Sequence, residues 1–169
     1  EEIYNLETLI TASKYLQNNG IDYFLTIAGN GSQTKMLMKK SKDLGLSKKV
    51  KFIGKYDYET LPQLLNNHDL FISTSLSDAG IASSIAEAMA CQKIVIVSDS
   101  GENKLWISND VNGFLFKTGC SKSLYDAIIR AIDRKHLWNE IGIKARETIL
   151  ERNDISNEMK KMSKLMDLI

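Results

Sequence analysis

The stretch SDAGIASSIAEAMACQKIVIVSDSG, residues 77–101, decides the fold because it joins a glycine turn, a helix of small residues and a buried strand. Its last part, Ile94-Val95-Ile96-Val97, is apolar on both faces, which is typical of a strand in the middle of a parallel sheet covered on both sides. Its middle part, 82–90, predicts a helix. One carboxylate, Glu87, lies inside this apolar passage, and its role is the first functional question that the sequence raises.

The same alternation of strand and helix runs through the rest of the chain. Strands are predicted at 23–28, 50–53, 70–73, 94–97 and 113–116, and helices at 6–16, 33–44, 58–67, 82–90, 121–133, 137–150 and 155–168. Pro62 falls in the first turn of its helix, where a missing N–H loses no partner. This alternation implies right-handed crossovers and an α/β fold, with a doubly wound, mostly parallel, Rossmann-like sheet between two layers of helices.

The length of the chain fits one domain. A chain of 169 residues can form one well-packed core. A doubly wound fold normally opens with the strand that carries its first ligand loop, whereas this chain opens with a helix, and Glu2-Ile3-Tyr4 is too short to be that strand. We therefore expect residues 1–169 to form a single Rossmann-like domain, and we expect it to be a fragment that lacks its first strand.

Charge and composition exclude several classes of function. With 22 Lys and Arg against 21 Asp and Glu, the net charge of +1 gives no global field that would attract nucleic acid. No apolar run approaches the roughly 18 to 20 residues needed to span a bilayer, so a cytoplasmic protein is predicted. Cys91 and Cys120 are predicted to be free thiols, and His68 and His136 to be packing or surface histidines, because none of them has metal-ligand spacing.

Ligands of doubly wound sheets bind beyond the carboxyl ends of the strands, and three loops fall there. Gly29-Asn30-Gly31 follows the first strand and could let its backbone approach a phosphate, although Thr34 occupies the third glycine position of a dinucleotide-binding motif. A plain tight turn explains this segment equally well. Gly54-Lys55 follows the second strand, where its backbone could meet the edge of a base.

The third loop leads into the helix that contains Glu87. The free N–H groups around Gly80, Ile81 and Ala82 suit a diphosphate, and Ser83 and Glu87 stand one turn apart on one side of the helix. A carboxylate at this place can accept hydrogen bonds from the two vicinal hydroxyls of a ribose. The alternative is a surface Glu87 that is satisfied by water or by a lysine, and the sequence leaves both interpretations open.

A row of alanines predicts how the same helix packs. Ala82, Ala86 and Ala90 recur every four residues, which places them on one face of the helix. Small residues on that face would let the helix lie close against the sheet.

Three segments of the chain, taken together, resemble the C-terminal, donor-binding half of retaining GT-B glycosyltransferases of group 1 (family 4). These segments are IAGNGSQTKMLMKKSKDLGLSKKVKFIGKYDYETLPQLLNNHDLFISTS, GIASSIAEAMACQKIVIVSDSG and VNGFLF. The resemblance rests on an AGxG turn, a strand that ends Val-x-Phe-x-Gly, an acidic residue before the next strand, and E-A-M-A before a valine-rich strand. It covers almost the whole chain and implies one half of a GT-B fold.

The resemblance also implies a reaction. This domain would bind a UDP-, GDP- or ADP-sugar, and a separate N-terminal domain would present a glycan or lipid-linked acceptor. Transfer would proceed with retention, without a protein nucleophile, a metal or a cofactor, and the donor would be a substrate. A lipid-linked acceptor is compatible with peripheral association of the full-length protein at the inner face of the membrane.

Two glutamates serve the donor in this family, and only one of them has a match here. Glu87 matches the glutamate that binds the ribose hydroxyls. The glutamate that faces the sugar falls on Ala79, so the neighbouring Asp78 is the candidate substitute and, with Glu87, a candidate catalytic residue. The family's diphosphate-binding Lys falls near Tyr4 and a further glutamate falls on Leu105, so these contacts are missing or altered. The predicted donor contacts are Gly29, Asn30, Gly31, Gly54, Lys55, Ala79, Gly80, Ile81, Ala82, Ser83 and Glu87.

Two other classes of function were weighed against this one. A receiver-type signalling domain is disfavoured because Asp69 precedes its strand and Ser73-Thr74-Ser75 follows it, where a phosphorylatable Asp would be required. A GT-B-like domain with a degenerate donor site, used for binding or structure, stays open as the alternative. The residues at 4, 79 and 105 favour it.

Overall fold

The computed structural model describes residues 2–77 and 80–152, so the helix predicted at 155–168 lies outside the described residues. The strands are β1 (Leu25–Ala28), β2 (Val50–Gly54), β3 (Leu70–Ser73), β4 (Ile94–Ser98) and β5 (Phe114–Phe116). The α-helices are α1 (Leu6–Asn18), α2 (Thr34–Asp43), α3 (Leu61–Asn66), α4 (Ser83–Ala90), α5 (Asn103–Trp106), α6 (Ser121–Asp133) and α7 (Trp138–Arg152). Short 3-10 helices at Glu2–Tyr4, Tyr58–Thr60 and Lys135–Leu137 precede α1, α3 and α7.

All the described strands pair in parallel, in two sheets. β1 pairs with β2, and β3, β4 and β5 form a second sheet in that order. The predicted single sheet is therefore divided between β1 and β3. The amino ends of these two strands are still adjacent, because His68 Nε2 lies 2.8 Å from Thr26 Oγ1.

Contacts of the first helix show that the two sheets have the same orientation. The Leu76 N–H donates to the Ile3 carbonyl at 2.8 Å and the Thr74 hydroxyl to the Tyr4 carbonyl at 2.6 Å, so α1 begins beside the end of β3. From there α1 runs back and leads through a turn at Gly20 to the start of β1. β1 and β3 therefore run in the same direction, and the carboxyl ends of both sheets share one side, which we call the carboxyl edge.

Helices cover both faces of the larger sheet, as the sequence predicts. Every residue of β4 is buried, and its side chains alternate between two cores. Ile94 and Ile96 pack with residues of α1, α6 and β5, and Val95 and Val97 pack with residues of α3, α4 and α7. A third core joins β1 and β2 to α1 and α2. The predicted three-layer α/β/α architecture of the Rossmann-like type is confirmed.

Some element boundaries differ from the prediction. The strand predicted at 23–28 begins at Leu25, so Tyr23 and Phe24 lie outside it. Tyr23 packs against the core that contains Ile94 and Ile96, whereas Phe24 is 78% exposed, so the prediction of burial was wrong for Phe24. The helix predicted at 58–67 is a 3-10 turn followed by α3, with Pro62 in the first turn of α3 as predicted. The short helix α5 was not predicted, because four residues carry too little periodicity to detect.

Candidate functional site

The loops after β1 and β2 meet at the carboxyl edge. The Gly29 N–H donates to the Gly54 carbonyl at 2.7 Å, and a Cβ added at Gly54 would lie 3.4 Å from Asn30 Oδ1. Gly29 and Gly54 have φ angles of 107° and 69°, in the region that favours glycine. The predicted contacts Gly29, Asn30 and Gly54 are therefore close together, whereas Lys55 is exposed beside them.

The turn after β1 is closed by its own residues. The Thr34 hydroxyl accepts from the Gly31 N–H at 3.1 Å and donates to the Gly31 carbonyl at 2.9 Å. Thr34 stands where a dinucleotide-binding motif has its third glycine, and here it ties the turn to the start of α2. This arrangement agrees with the tight-turn interpretation, and it holds a preformed backbone surface next to Gly54.

The connection between β3 and α4 ends in a helix start without a side-chain cap. Ala82 occupies the N-cap position with φ −62° and ψ 139°, and its methyl group cannot accept a hydrogen bond. Ser83 is exposed in the first turn, and Gly80 has a φ of 74°. The Ile85 and Ala86 N–H groups donate to the Ala82 carbonyl, whereas those of Ser83 and Ser84 have no acceptor among the described residues and are available to an anion. The candidates Asp78 and Ala79 lie outside the described residues.

Glu87 is half-buried, one turn after Ser83. Within residues 2–77 and 80–152, no side chain or backbone group forms a hydrogen bond or ion pair with its carboxylate. The alternative of a lysine partner therefore has no support in this part of the chain. A half-buried carboxylate without a protein partner at the carboxyl edge can accept hydrogen bonds from a ligand.

The packing of α4 differs in part from the predicted alanine row. Ile85, Ala88 and Met89 are fully buried, whereas Ala82 and Ala90 are only partly buried. The larger side chains at 85 and 89 reach the core, so they set the face that α4 turns to the sheet. Ala86, which is 7% exposed, is the member of the row that fits the prediction.

A cluster of buried hydroxyls fixes the end of β3 against the end of β4. Ser98 Oγ lies 2.5 Å and Ser100 Oγ 3.0 Å from the Ser75 carbonyl oxygen, and the two hydroxyl oxygens are 2.9 Å apart. Asn103 Nδ2 donates to the Ser98 carbonyl at 3.1 Å. Sequence reasoning missed these residues. Their only signal was that hydroxyl side chains follow two predicted strands at the ligand-binding edge.

Asp99, directly after β4, ties this edge to the loop after β5. Its Oδ1 accepts from the Thr118 N–H at 2.9 Å and from the Thr118 hydroxyl at 2.7 Å. These two hydrogen bonds, with the Lys104 ammonium 3.3 Å from Oδ2, hold the pKa of Asp99 below its usual value. The ionised carboxylate therefore links the loop after β4 to the loop after β5 at the carboxyl edge.

The predicted donor contacts form two groups on one edge. Gly29 to Gly31 with Gly54 and Lys55 lie on the two-stranded sheet, and Gly80 to Ser83 with Glu87 follow the three-stranded sheet. No hydrogen bond or ion pair joins the two groups in the described part of the chain. Tyr4 and Leu105, the positions that depart from the family pattern, are 55% and 67% exposed.

The predictions for the two cysteines and for His68 agree with the described residues. Cys91 and Cys120 are free, half-buried thiols, and His68 is a packing histidine between Thr26 and the Leu64 carbonyl. No group of three His, Cys, Asp or Glu side chains in residues 2–77 and 80–152 could hold a metal. None of the helices described is both long and apolar enough to cross a membrane.

Proteins similar in sequence to this chain include two that are named as glycosyltransferases. The poly(ribitol-phosphate) alpha-N-acetylglucosaminyltransferase of Staphylococcus aureus is 29% identical over 143 residues, which are 83% of this chain and 28% of that protein. An uncharacterised glycosyltransferase of Methanocaldococcus jannaschii is 25% identical over 143 residues, 85% of this chain and 36% of that protein. The chain thus spans about a third of the length of these curated relatives.

A solved structure and a family match complete the comparison. The crystal structure of Anabaena HepE in complex with UDP-glucose is similar to this chain with a TM-score of 0.87 at 25% identity, covering 100% of this chain and 46% of that one. The family described as Glycosyl transferases group 1 matches residues 1–148. Because this match covers most of the chain and the fold is that of GT-B glycosyltransferases, the chain belongs to the glycosyl transferases group 1 family.

Proposed function

We propose that this chain is the donor-binding domain of an enzyme that transfers a sugar from a nucleotide-diphospho-sugar to a glycan or lipid-linked acceptor. One observation carries the proposal. The Glu87 carboxylate has no protein partner among the described residues, and it lies one turn behind the uncapped start of α4. The proposed diphosphate contact at the start of α4 and the proposed ribose contact at Glu87 would therefore lie one helical turn apart, as a nucleotide requires.

The diphosphate is proposed to bind at the start of α4. Gly80, Ile81, Ala82 and Ser83 would approach it with backbone N–H groups, and the positive end of the helix would add to the attraction. The same contacts would strengthen as negative charge develops on the leaving diphosphate, so they would favour the transition state. The family's diphosphate-binding lysine position falls near Tyr4, so this chain has no lysine at that position.

The nucleoside is proposed to bind between the two loop groups. Glu87 would accept hydrogen bonds from the ribose hydroxyls, and the backbone around Gly29, Asn30 and Gly54 would contact the base. Anabaena HepE was crystallised with UDP-glucose, so a UDP-sugar is the first donor to test. GDP- and ADP-sugars are the next candidates, because backbone contacts alone discriminate weakly between bases.

The finer features of the reaction are also proposals. Transfer would proceed with retention, without a metal and without a protein nucleophile, and catalysis would rest on orientation of the donor and stabilisation of the leaving group. Asp78 is the candidate for the carboxylate that faces the sugar. With a lipid-linked acceptor, the full-length protein would act in the cytoplasm at the inner face of the membrane.

We further propose that a strand from outside the 169 residues completes the sheet between β1 and β3. Among the described residues, β1 and β3 each lack a hydrogen-bonded strand on one side, and the side chains of His68 and Thr26 bond across the gap between them. One missing strand leaves roughly 9.6 Å between its neighbours, twice the usual spacing, and two side chains can span that distance. Such a strand would precede Ile3 and Tyr4, whose carbonyls already bond to the end of β3.

Calorimetric titration of the full-length protein with UDP-, GDP-, ADP- and CMP-sugars tests the proposed function. We expect saturable heat with at least one nucleotide-sugar, and unchanged affinity in the control Glu147→Gln, which alters an exposed carboxylate on α7. Absence of saturable heat with all four classes would contradict the proposal. Binding without any turnover of the donor would favour the degenerate binding domain.

A further inference from the structure

We propose that the Ser98 and Ser100 hydroxyls are positioning groups that hold the entry to the donor site through the Ser75 carbonyl. This inference rests on the proposed function, because it assigns to these serines a role in placing the connection that leads to α4. Neither serine would touch the donor. Both would act through Ser75, which begins that connection directly after β3 and Thr74.

The three oxygens form a closed cluster. Ser75, Ser98 and Ser100 are 3%, 0% and 7% exposed, so water does not compete for their hydrogen bonds. The Ser98 and Ser100 hydroxyls supply two protons for three oxygen–oxygen contacts of 2.5, 3.0 and 2.9 Å. Either hydroxyl can donate to the Ser75 carbonyl. The second hydroxyl can then donate to the same carbonyl or to the oxygen of the first hydroxyl. The carbonyl is therefore held even when one hydroxyl is removed.

Few other contacts hold the described residues of this connection. Within it, the Ser75 hydroxyl donates to the Ser77 carbonyl at 3.1 Å. On its other side, Leu76 is held by the hydrogen bond from its N–H to the Ile3 carbonyl at 2.8 Å. Beyond Leu76, the described residues Ser77, Gly80 and Ile81 donate no backbone hydrogen bond within the described part of the chain. Ser75 is therefore held from β4, and Leu76 from the segment before α1, at the described beginning of the connection that leads to α4.

Removal of the two hydroxyls should thus act on donor affinity in a coupled way. We expect Ser98→Ala and Ser100→Ala alone to weaken UDP binding by about twofold or less, because the remaining hydroxyl still serves the carbonyl. The double variant should weaken UDP binding by about five- to tenfold, the scale of one buried hydrogen bond. This non-additivity is the signature of a shared acceptor. Ser100→Thr in the Ser98→Ala background also keeps one hydroxyl, so its UDP affinity should stay within about twofold of that of the wild type.

A matched control separates positioning from loss of stability. The Ser13 hydroxyl donates to the Leu9 carbonyl at 2.9 Å inside α1, and Ser13 is 2% exposed. Ser13→Ala also removes a buried hydroxyl–carbonyl bond, away from the connection. It should leave UDP affinity unchanged, whatever its effect on the free energy of unfolding. An equal loss of UDP affinity in Ser13→Ala and in the double serine variant would overturn the inference.

Amide hydrogen exchange of the full-length protein without ligand makes the test independent of the proposed function. In the double variant, exchange at Leu76, whose N–H is hydrogen-bonded to the Ile3 carbonyl, should accelerate more than exchange in β4, and Ser13→Ala should not produce this pattern. Uniform acceleration, or unchanged exchange at Leu76, would overturn the positioning role even if UDP binds. If the wild-type protein binds no nucleotide but the Leu76 amide responds as expected, the proposed function fails and the structural positioning stands.

Discussion

The two sheets of this domain differ in how firmly their strands are held. All five residues of β4 are buried between two layers of helices, and β4 has a hydrogen-bonded strand on each side. In β1 only Ile27 is buried, Ala28 is exposed, and the strand is paired on one side alone within the described residues. The start of α4 and Glu87 therefore follow the three-stranded sheet, which is firmly packed. The loops proposed to contact the base follow the two-stranded sheet, which is packed less firmly.

This difference suggests a division of labour in the proposed donor site. Contacts to a diphosphate must be held in place before it binds, because reorganisation during the reaction would reduce their effect. Contacts to the base can adapt on binding at lower cost to the reaction. The packing indicates that the two sheets, each taken with the helices that cover it, are two units that differ in stability.

Removal of one phenylalanine from each unit should give the largest contrast. Phe114 in β5 is fully buried and contacts the core beneath α1 and α6, so Phe114→Ala should lower the free energy of unfolding by about 3 to 5 kcal/mol. Phe24, just before β1, is 78% exposed, and Phe24→Ala should change it by about 0.5 kcal/mol or less. Urea unfolding followed by circular dichroism measures both values. Similar losses of unfolding free energy in the two variants would show that the two-stranded sheet is not packed more weakly than the three-stranded one.

Glycine substitutions should give the next contrast. A Cβ at Gly142 in α7 would lie 2.4 Å from the Gln92 carbonyl oxygen, so Gly142→Ala should cost about 2 kcal/mol through forced displacement of α7. A Cβ at Gly54 meets only the Asn30 side chain, and Gly54→Ala should cost about 1 kcal/mol because of its positive φ. Thermal and urea unfolding of both variants check this order. A stabilised Gly142→Ala protein would contradict the close approach of α7.

Replacement of one aspartate in each unit should give the smallest contrast in stability. Asp99→Asn should lower the free energy of unfolding at pH 7 by about 1.5 kcal/mol, because Thr118 bonds to the ionised carboxylate. The side chain of Asp22 is 86% exposed, and Asp22→Asn should have no measurable effect despite the ion pair with Lys49.

The contribution of Asp99 should also depend on pH. Its pKa is lower in the folded state, mainly because of the Thr118 hydrogen bonds, so its stabilisation is complete above the unfolded pKa of about 3.9. It is lost as the pH falls through the lowered folded pKa. Urea unfolding of wild type and Asp99→Asn between pH 7 and pH 2 should show two curves that converge below about pH 4. Parallel curves would show that Asp99 is not the group that titrates.

Much of the fold could be predicted from the sequence because the central strands carry strong patterns. The run from Ile94 to Val97 is apolar on both faces, and the structure buries all of it. The division of the sheet could not be predicted, since it depends on what pairs with the edges of β1 and β3. Phe24 was misplaced because an aromatic residue next to a strand has the same local pattern as one inside it.

Only local features of the candidate site could be predicted. The glycine turns at Gly29 and Gly54 and the start of α4 near Ala82 follow from short segments, whereas the contact between Gly29 and Gly54 does not. The cluster of Ser75, Ser98 and Ser100 was missed because it joins residues more than twenty positions apart through one backbone carbonyl. Nothing in a serine's sequence neighbours indicates which carbonyl it will contact after folding.

The role of Glu87 at the ribose is the central claim, and a cycle of two ligands and two proteins tests it most directly. Binding of UDP and of 2′,3′-dideoxy-UDP would be measured by calorimetry for the full-length wild type and for Glu87→Gln, with Glu147→Gln as the control. We predict that Glu87→Gln weakens UDP binding by about 1.5 to 3 kcal/mol, roughly 10- to 100-fold, and leaves the binding of the dideoxy nucleotide unchanged. Equal losses for both ligands, or no loss for UDP, would contradict the assignment of Glu87 to the ribose hydroxyls.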